Sequence, residues 1–186
     1  MAKKSNIVKV IVGIGIPGSG KTSVLKNFAD KYKYDYVCPD DIRFELTGDA
    51  GDQSRNGDVW PIANSRLAES LDAGRTVVLD ATSAKLVDRK KLIRLAREHG
   101  VDKIFGVYVD TPLEVAKERN LDKIRDRVVP EHIIDDMYQN LENNPPSPEE
   151  GIDMIVTLDE FHRLVSAEKM STEGDEIYHR DFGPVS

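Results

Sequence analysis

The sequence predicts an α/β protein, a parallel sheet with helices on both faces. Two observations carry this. Short apolar runs, each about the length of one buried strand, alternate along the chain with stretches of helical period. The segments between those runs are long enough for crossover helices, which parallel strands require. No internal repeat is present, and no apolar run approaches the roughly 18 residues that cross a bilayer.

The elements follow in order. VKVIVGIG is continuously apolar and reads as a central parallel strand. The N-terminal MAKKSNIVKVIVGIG has the basic-then-apolar look of a signal peptide, but no small-residue cleavage site follows, so it is read as that buried strand. KTSVLKNFADKY reads as a helix, and YDYVCP as a short strand ended by Pro39. A helix is expected from about Asp41 to Leu46, and TGDAGDQSRNGD is a polar, glycine-rich loop. PIANSRLAESLDAG has proline at its start and Gly74 at its end, the usual helix start and stop signals. TVVLD is the third strand, and AKLVDRKKLIRLAREHG an amphipathic helix ended by Gly100. KIFGVYVD is the fourth strand, PLEVAKERN a helix, LDKIRDRVV a charged break and PEHIIDDMYQNLE another helix. NNPPSPEEG is a loop and IDMIVTL the fifth strand. The expected organisation is one domain over 1–164, with a polar tail over 165–186 that is loosely ordered or packs on a partner.

Composition bounds the function. The chain has 186 residues, 39% hydrophobic and 32% charged, which suits one soluble globular domain. Cys38 is the only cysteine, so no internal disulfide can form, and a cytoplasmic setting is expected. It reads as a small buried residue. A net charge of −7 argues against a broad nonspecific grip on nucleic acid but leaves room for a local basic pocket. The histidines His99, His132, His162 and His179 lack metal-ligand spacing and read as surface residues.

In such sheets ligands bind beyond the carboxyl ends of the strands. Gly15, Asp40, Asp80 and Asp110 all fall at such ends and so face one crevice. Gly15-Ile16-Pro17-Gly18-Ser19-Gly20-Lys21-Thr22 fits G-x-x-x-x-G-K-[ST] in full, between a strand and a helix. Its glycines let successive N–H groups turn around phosphate oxygens, and the following helix aims its positive end at the same place. Lys21 brings a charge to the β- and γ-phosphates, and Thr22 offers a hydroxyl to magnesium. Gly15, Pro17, Gly18, Ser19, Gly20, Lys21, Thr22 and Ser23 are therefore the expected nucleotide-binding set, with ATP and Mg2+ as cofactors. A second stretch, CPDDIRFEL, sets Asp40 at the crevice with Arg43 one helical turn on. A carboxylate is the usual base for an attacking alcohol, and an arginine beside it suits an acceptor that also carries an anion. The competing reading is a helix cap and a surface arginine.

These stretches, with PDDIRFELTG, LDAGRTVVLDATS, RKKLIRLAREHG, VDTPLEVAKERN, VVPEHIIDDM and PPSPEEGID, resemble the polynucleotide kinase group of P-loop kinases over about residues 8–157. That group contains the bacteriophage 5'-hydroxyl polynucleotide kinases. The resemblance implies a five-stranded parallel sheet in the order 2-3-1-4-5 with a small helical lid, here about 119–130. It implies that Asp40 is the general base, that Arg43 holds the acceptor's neighbouring phosphate and that Asp80 organises the site. It places Arg119 on the adenine and a lid arginine on the transferring phosphoryl group. Arg125 is assigned that last role, with Arg127 and Lys123 as alternatives. Two departures are visible: Ser83 stands where the family usually has asparagine, and no stretch of these 186 residues resembles the phosphatase domain often fused to phage repair kinases.

The expected activity is ATP-dependent phosphorylation of a 5'-hydroxyl on a nucleic acid. A kinase of another alcohol and a nonenzymatic nucleotide switch are the alternatives. The expected partner is a nucleic-acid 5' end, without a membrane; a homo-oligomer and a phage-encoded protein acting in a host cytoplasm are compatible with this. Arg89 is assigned to the acceptor pocket, with a solvated face as the competing reading. The basic run RKKLIR at 89–94 hints at a strand passing nearby. Trp60 can stack a base, but core packing is its expected role.

Overall fold

The computed structural model describes residues 7–122 and 127–169. Its strands are β1 (Lys9–Ile14), β2 (Asp35–Val37), β3 (Val77–Leu79), β4 (Lys103–Val109), β5 (Met154–Leu158) and β6 (Leu164–Lys169). Its helices are α1 (Lys21–Tyr32), α2 (Pro39–Thr47), α3 (Asn56–Asp72), α4 (Leu86–Glu98), α5 (Leu113–Asn120) and α6 (Glu131–Asn143). They build one sheet in the order β2-β3-β1-β4-β5-β6. The first five strands run parallel in the expected order.

The sheet differs from expectation by its sixth strand, which pairs antiparallel with β5. β6 carries no buried side chain, so no apolar alternation marks it in the sequence. A turn makes it. The Asp159 carboxylate accepts from the backbone N–H groups of Phe161 and Arg163, both at 2.9 Å, and from Arg163 Nε at 2.7 Å. One side chain thereby reverses the chain after β5.

Strand periodicity splits the core into two layers. Val10, Val12 and Ile14 of β1 face one side, with Val77, Leu79, Ile104 and residues of α3, α4 and α6. Ile11 faces the other, with Leu25 and Ala29 of α1, Phe105, Val107 and Met154. Burying Leu25 fully, as here, contributes about 2 kcal/mol. Helices therefore cover both faces, and the strand ends are left to meet at one edge.

Two helices begin earlier than the sequence suggests. α2 starts at Pro39, whose missing N–H costs nothing in a first turn, and Asp40 and Asp41 follow where the helix dipole favours acids. α3 starts at Asn56 and carries Pro61 inside it. Pro61 forfeits the bond to the Gly57 carbonyl, but that turn is exposed and water can replace it.

Candidate active site

The glycine loop joins β1 to α1 and is strapped on both sides. Gly15 N–H donates to the Thr82 carbonyl after β3 at 3.1 Å. The Thr111 hydroxyl, just past β4, donates to the Ser19 carbonyl at 3.2 Å. Two glycines are needed for space as well as for angle. At Gly18 (φ 87°) a Cβ would collide with the Ala116 carbonyl of α5, and at Gly20 (φ 90°) with the imidazole of His162. α1 then opens with no side-chain cap and no acid in its first turn. Its first N–H groups and its positive dipole end stay available to an anion. The Ser19 hydroxyl is buried with no partner, and Thr22 and Ser23 are exposed at the helix start. This donor set fits a polyphosphate.

Lys21 Nζ donates to Asp80 Oδ1 at 2.8 Å. Tyr36 donates its hydroxyl to Asp80 Oδ2 at 2.7 Å. Asp80 is 3% exposed. Burial works against its charge, but the Lys21 ammonium and hydrogen bonds from Lys21, Tyr36 and Thr22 outweigh it and hold the carboxyl below the usual carboxylate range. The same surroundings act oppositely on their neighbours. Burial first, then the Asp80 charge, pushes the Tyr36 phenol well up and the Cys38 thiol up to about 11. Cys38 is thus the inert buried residue expected of it.

Strand pairing brings the second group alongside. Val37 of β2 pairs with Leu79 of β3, and the Asp80 N–H donates to the Val37 carbonyl at 2.9 Å. Asp40, three residues past Val37, therefore stands near Asp80 at the same sheet edge. Asp40 Oδ1 accepts from Arg43 Nη1 and, at 2.9 Å, from Arg127 Nη1. Arg43 is 6% exposed. Its guanidinium also donates to the Ala50 carbonyl at 3.2 Å and to Asn56 Oδ1 at 3.0 Å, while Nε is buried with no partner. Two guanidinium groups on one carboxylate leave this spot net positive on a chain whose net charge is −7.

Arg127 is held by a clasp. Asn120, fully buried at the end of α5, donates from Nδ2 to the Val129 carbonyl at 2.8 Å and accepts the Val129 N–H at 3.0 Å. One amide thus closes both ends of the charged segment and sets Arg127 two residues from a fixed point. Arg125 and Lys123 lie outside the described residues.

Lys21 pairs with Asp80 and Arg43 with Asp40, at the carboxyl ends of the neighbouring strands β3 and β2. Arg119 lies at the rim, donating from Nη2 to the Glu160 carbonyl of the β5–β6 turn at 2.9 Å. Asp110 is tied to Tyr108 at 3.1 Å rather than to this group. Arg89 does not join it either, and this corrects its assignment to the acceptor pocket. It is 1% exposed, pairs with Glu150 through Nε and Nη2, each at 2.7 Å, and donates to the carbonyls of Ser83, Ala84 and Asn144. Every guanidinium nitrogen is spent, Nη1 on the loop before α4, and Nε and Nη2 on the segment that runs from the end of α6 to the 3-10 turn Pro148–Glu150. Of the run 89–94, only Lys90, Lys91 and Arg94 remain on the surface. His162 on Gly20 and Arg127 on Asp40 are contacts between distant parts of the chain that spacing could not reveal. Among the described residues no group of His, Cys, Asp and Glu could hold a metal by itself. No described helix is long and apolar enough to cross a membrane.

The chain is similar to several known proteins. The AAA domain family matches residues 10–144. A protein named as a bifunctional polynucleotide phosphatase/kinase of Acanthamoeba polyphaga mimivirus is 28% identical over 112 residues, 60% of this chain and 23% of that protein. A cytidylate kinase of Methanocaldococcus jannaschii is 25% identical over 114 residues, 59% of this chain and 64% of that one. The chain thus spans less than two thirds of the length of either relative. Among solved structures, a chain of the Pnkp1/Rnl/Hen1 RNA repair complex superposes with a TM-score of 0.67 at 19% identity, covering 93% of this chain and 53% of that one. The chain belongs to the AAA domain family and resembles the P-loop kinases of the polynucleotide kinase group.

Proposed function

We propose that this kinase transfers the γ-phosphoryl group of ATP to the 5'-hydroxyl of a polynucleotide. The observation that carries the reading is the Asp40 carboxylate flanked by Arg43 and Arg127 beside the glycine loop. A base with two cations around it suits an alcohol acceptor that carries its own phosphate. The similarity to the polynucleotide phosphatase/kinase supports the same acceptor class.

ATP would lie with its phosphates on the N–H groups of residues 15–23, and its adenine toward Arg119. Thr22, with Asp80 beside it, would hold magnesium, which neutralises phosphate charge when bound. Lys21 would exchange Asp80 for the β- and γ-phosphates, while Tyr36 keeps Asp80 in place. Asp40 takes the proton from the 5'-hydroxyl, and the oxygen so freed attacks the γ-phosphorus. The bond from that phosphorus to the β-phosphate bridging oxygen breaks, and ADP leaves with the electron pair. Arg43 grips the acceptor's adjacent phosphate. A lid arginine, Arg125 or Arg127, meets the charge that spreads over the transferring group.

The test is transfer of label from γ-labelled ATP to a panel of acceptors. It should contain 5'-hydroxyl DNA and RNA oligonucleotides, hydroxymethyluracil DNA, nucleosides and nucleoside 3'-monophosphates. Labelled 5' ends are expected, with nucleoside 3'-monophosphates the smallest good acceptors. Label on bare nucleosides or on the modified base alone would replace this reading with a kinase of another alcohol.

A further inference from the structure

We infer that Trp60 is a stacking platform for the base that follows the acceptor nucleotide, so that the enzyme favours single-stranded acceptors longer than one nucleotide. The inference rests on the polynucleotide reading above and adds a determinant of acceptor length to it. Trp60 is the only tryptophan of the chain and is 44% exposed, which corrects the expectation of core packing. The buried stripe of α3 is Val59, Ala63, Leu67 and Leu71, and Trp60 lies off it. No ring or cation contact engages the indole among the described residues.

Its place matters. Asn56 opens α3 and accepts from Arg43, the arginine of the anion pocket. Trp60 is four residues on, so it lies one turn along the helix and roughly 40° round its axis from Asn56. Helical side chains lean toward the N-terminus, which carries the ring back over the Asn56 turn. An anion on Arg43 would therefore have an exposed indole one helical turn away. A phosphate followed by a planar base offers both partners in that order. Every base has a π-face, so such a platform is tolerant of sequence.

The experiment uses the full chain, a nucleoside 3'-monophosphate, a 5'-hydroxyl thymidine hexamer, and the same hexamer with an abasic second position. Stacking one base predicts a kcat/KM advantage of roughly 5- to 150-fold for the hexamer over the mononucleotide. The abasic hexamer and Trp60→Ala should each lose it, and Trp60→Phe should retain part. The mononucleotide should be used equally by all three proteins. Because the chain has one tryptophan, its fluorescence reads the contact without ATP: the hexamer should quench it and the abasic hexamer should not. If no 5'-hydroxyl acceptor is phosphorylated, the kinase reading falls while this quenching still decides the contact. Unchanged fluorescence overturns the inference even if Trp60→Ala fails to fold. So does a length preference that survives Trp60→Ala or is removed by Phe44→Ala, the other exposed ring beside the pocket.

Discussion

Asp40→Asn separates the base from the scaffold. The change keeps the side chain's size and its ability to accept one hydrogen bond, and removes only the negative charge. Its cost to folding follows from the geometry. Each contact with Arg43 or Arg127 would be worth about 4 kcal/mol at roughly 4 Å and an effective dielectric of about 20. The Asp40 side chain is 49% exposed, so water screens most of that, and a net loss of about 1 kcal/mol is expected. Arg43 keeps Asn56 and the Ala50 carbonyl and should stay in place. Turnover should respond far more strongly. Losing the general base lowers kcat by roughly 10²–10⁴-fold. Urea unfolding and steady-state kinetics on the same preparation measure the two effects. ATP affinity should hold, while inorganic phosphate should bind several-fold more tightly, because the guanidinium pair has lost its internal anion. A folded variant with near-normal kcat would refute the assignment. An equal loss in ATP binding would show that Asp40 is a structural cap.

Other outcomes follow from the same contacts. Lys21→Ala should abolish transfer while circular dichroism stays native; turnover near the wild-type rate would remove the donor site from the glycine loop. Arg127→Ala and Arg125→Ala, compared side by side, decide which arginine meets the transferring group. A loss of up to roughly 10³-fold is expected from that one, and if both are silent the lid has no such role. Asn120→Ala leaves the Val129 N–H and carbonyl unpaired in the interior and should cost about 2–4 kcal/mol in urea unfolding; a loss within experimental error would dismiss the clasp. An acceptor stripped of its 3'-phosphate should lose kcat as well as affinity, and a change in KM alone would reduce Arg43 to a binding residue.

How much of this was legible in the sequence depended on how local each signal is. The glycine loop declares itself because its function needs glycine, lysine and threonine at fixed offsets on one turn of chain. Asp40 and Arg43 are legible for the same reason, being one turn apart. The order of the parallel strands came from resemblance rather than from any residue. β6 was invisible because an edge strand with no buried face has no apolar rhythm, and its cause is one turn residue, Asp159. Arg89 misled because a basic residue in a basic run just after β3 looks free to meet an acceptor or solvent. Only the fold reveals that Glu150, 61 residues away, meets it in the interior. The approach of His162 to Gly20 and the pairing of Arg127, already a lid alternative, with Asp40 were hidden on the same ground, since each partner lies far off in the chain.

The two ion pairs at the sheet edge share a logic that bears on specificity. Both substrates of the proposed reaction are anions, and each cation that would meet them rests on a carboxylate, Lys21 on Asp80 and Arg43 with Arg127 on Asp40. Leaving Lys21 or Arg43 unpaired would be costly, as their side chains are only 13% and 7% exposed. Substrate binding is therefore an exchange of one anion for another, and the net Coulomb gain is smaller than a phosphate–arginine contact alone would suggest. The exchange has a different effect at the two pairs. Asp80 keeps the hydrogen bond from the Tyr36 hydroxyl when Lys21 leaves. Asp40 has no holder besides the two arginines among its described contacts. A phosphate that draws Arg43 away would remove one of the two donors on Asp40 Oδ1 and leave that oxygen open to the acceptor hydroxyl. In the proposed reaction the acceptor's phosphate would thus do more than anchor the substrate. By taking Arg43 it would open Asp40 to the hydroxyl whose oxygen attacks, coupling recognition of a polynucleotide end to the chemistry performed on it.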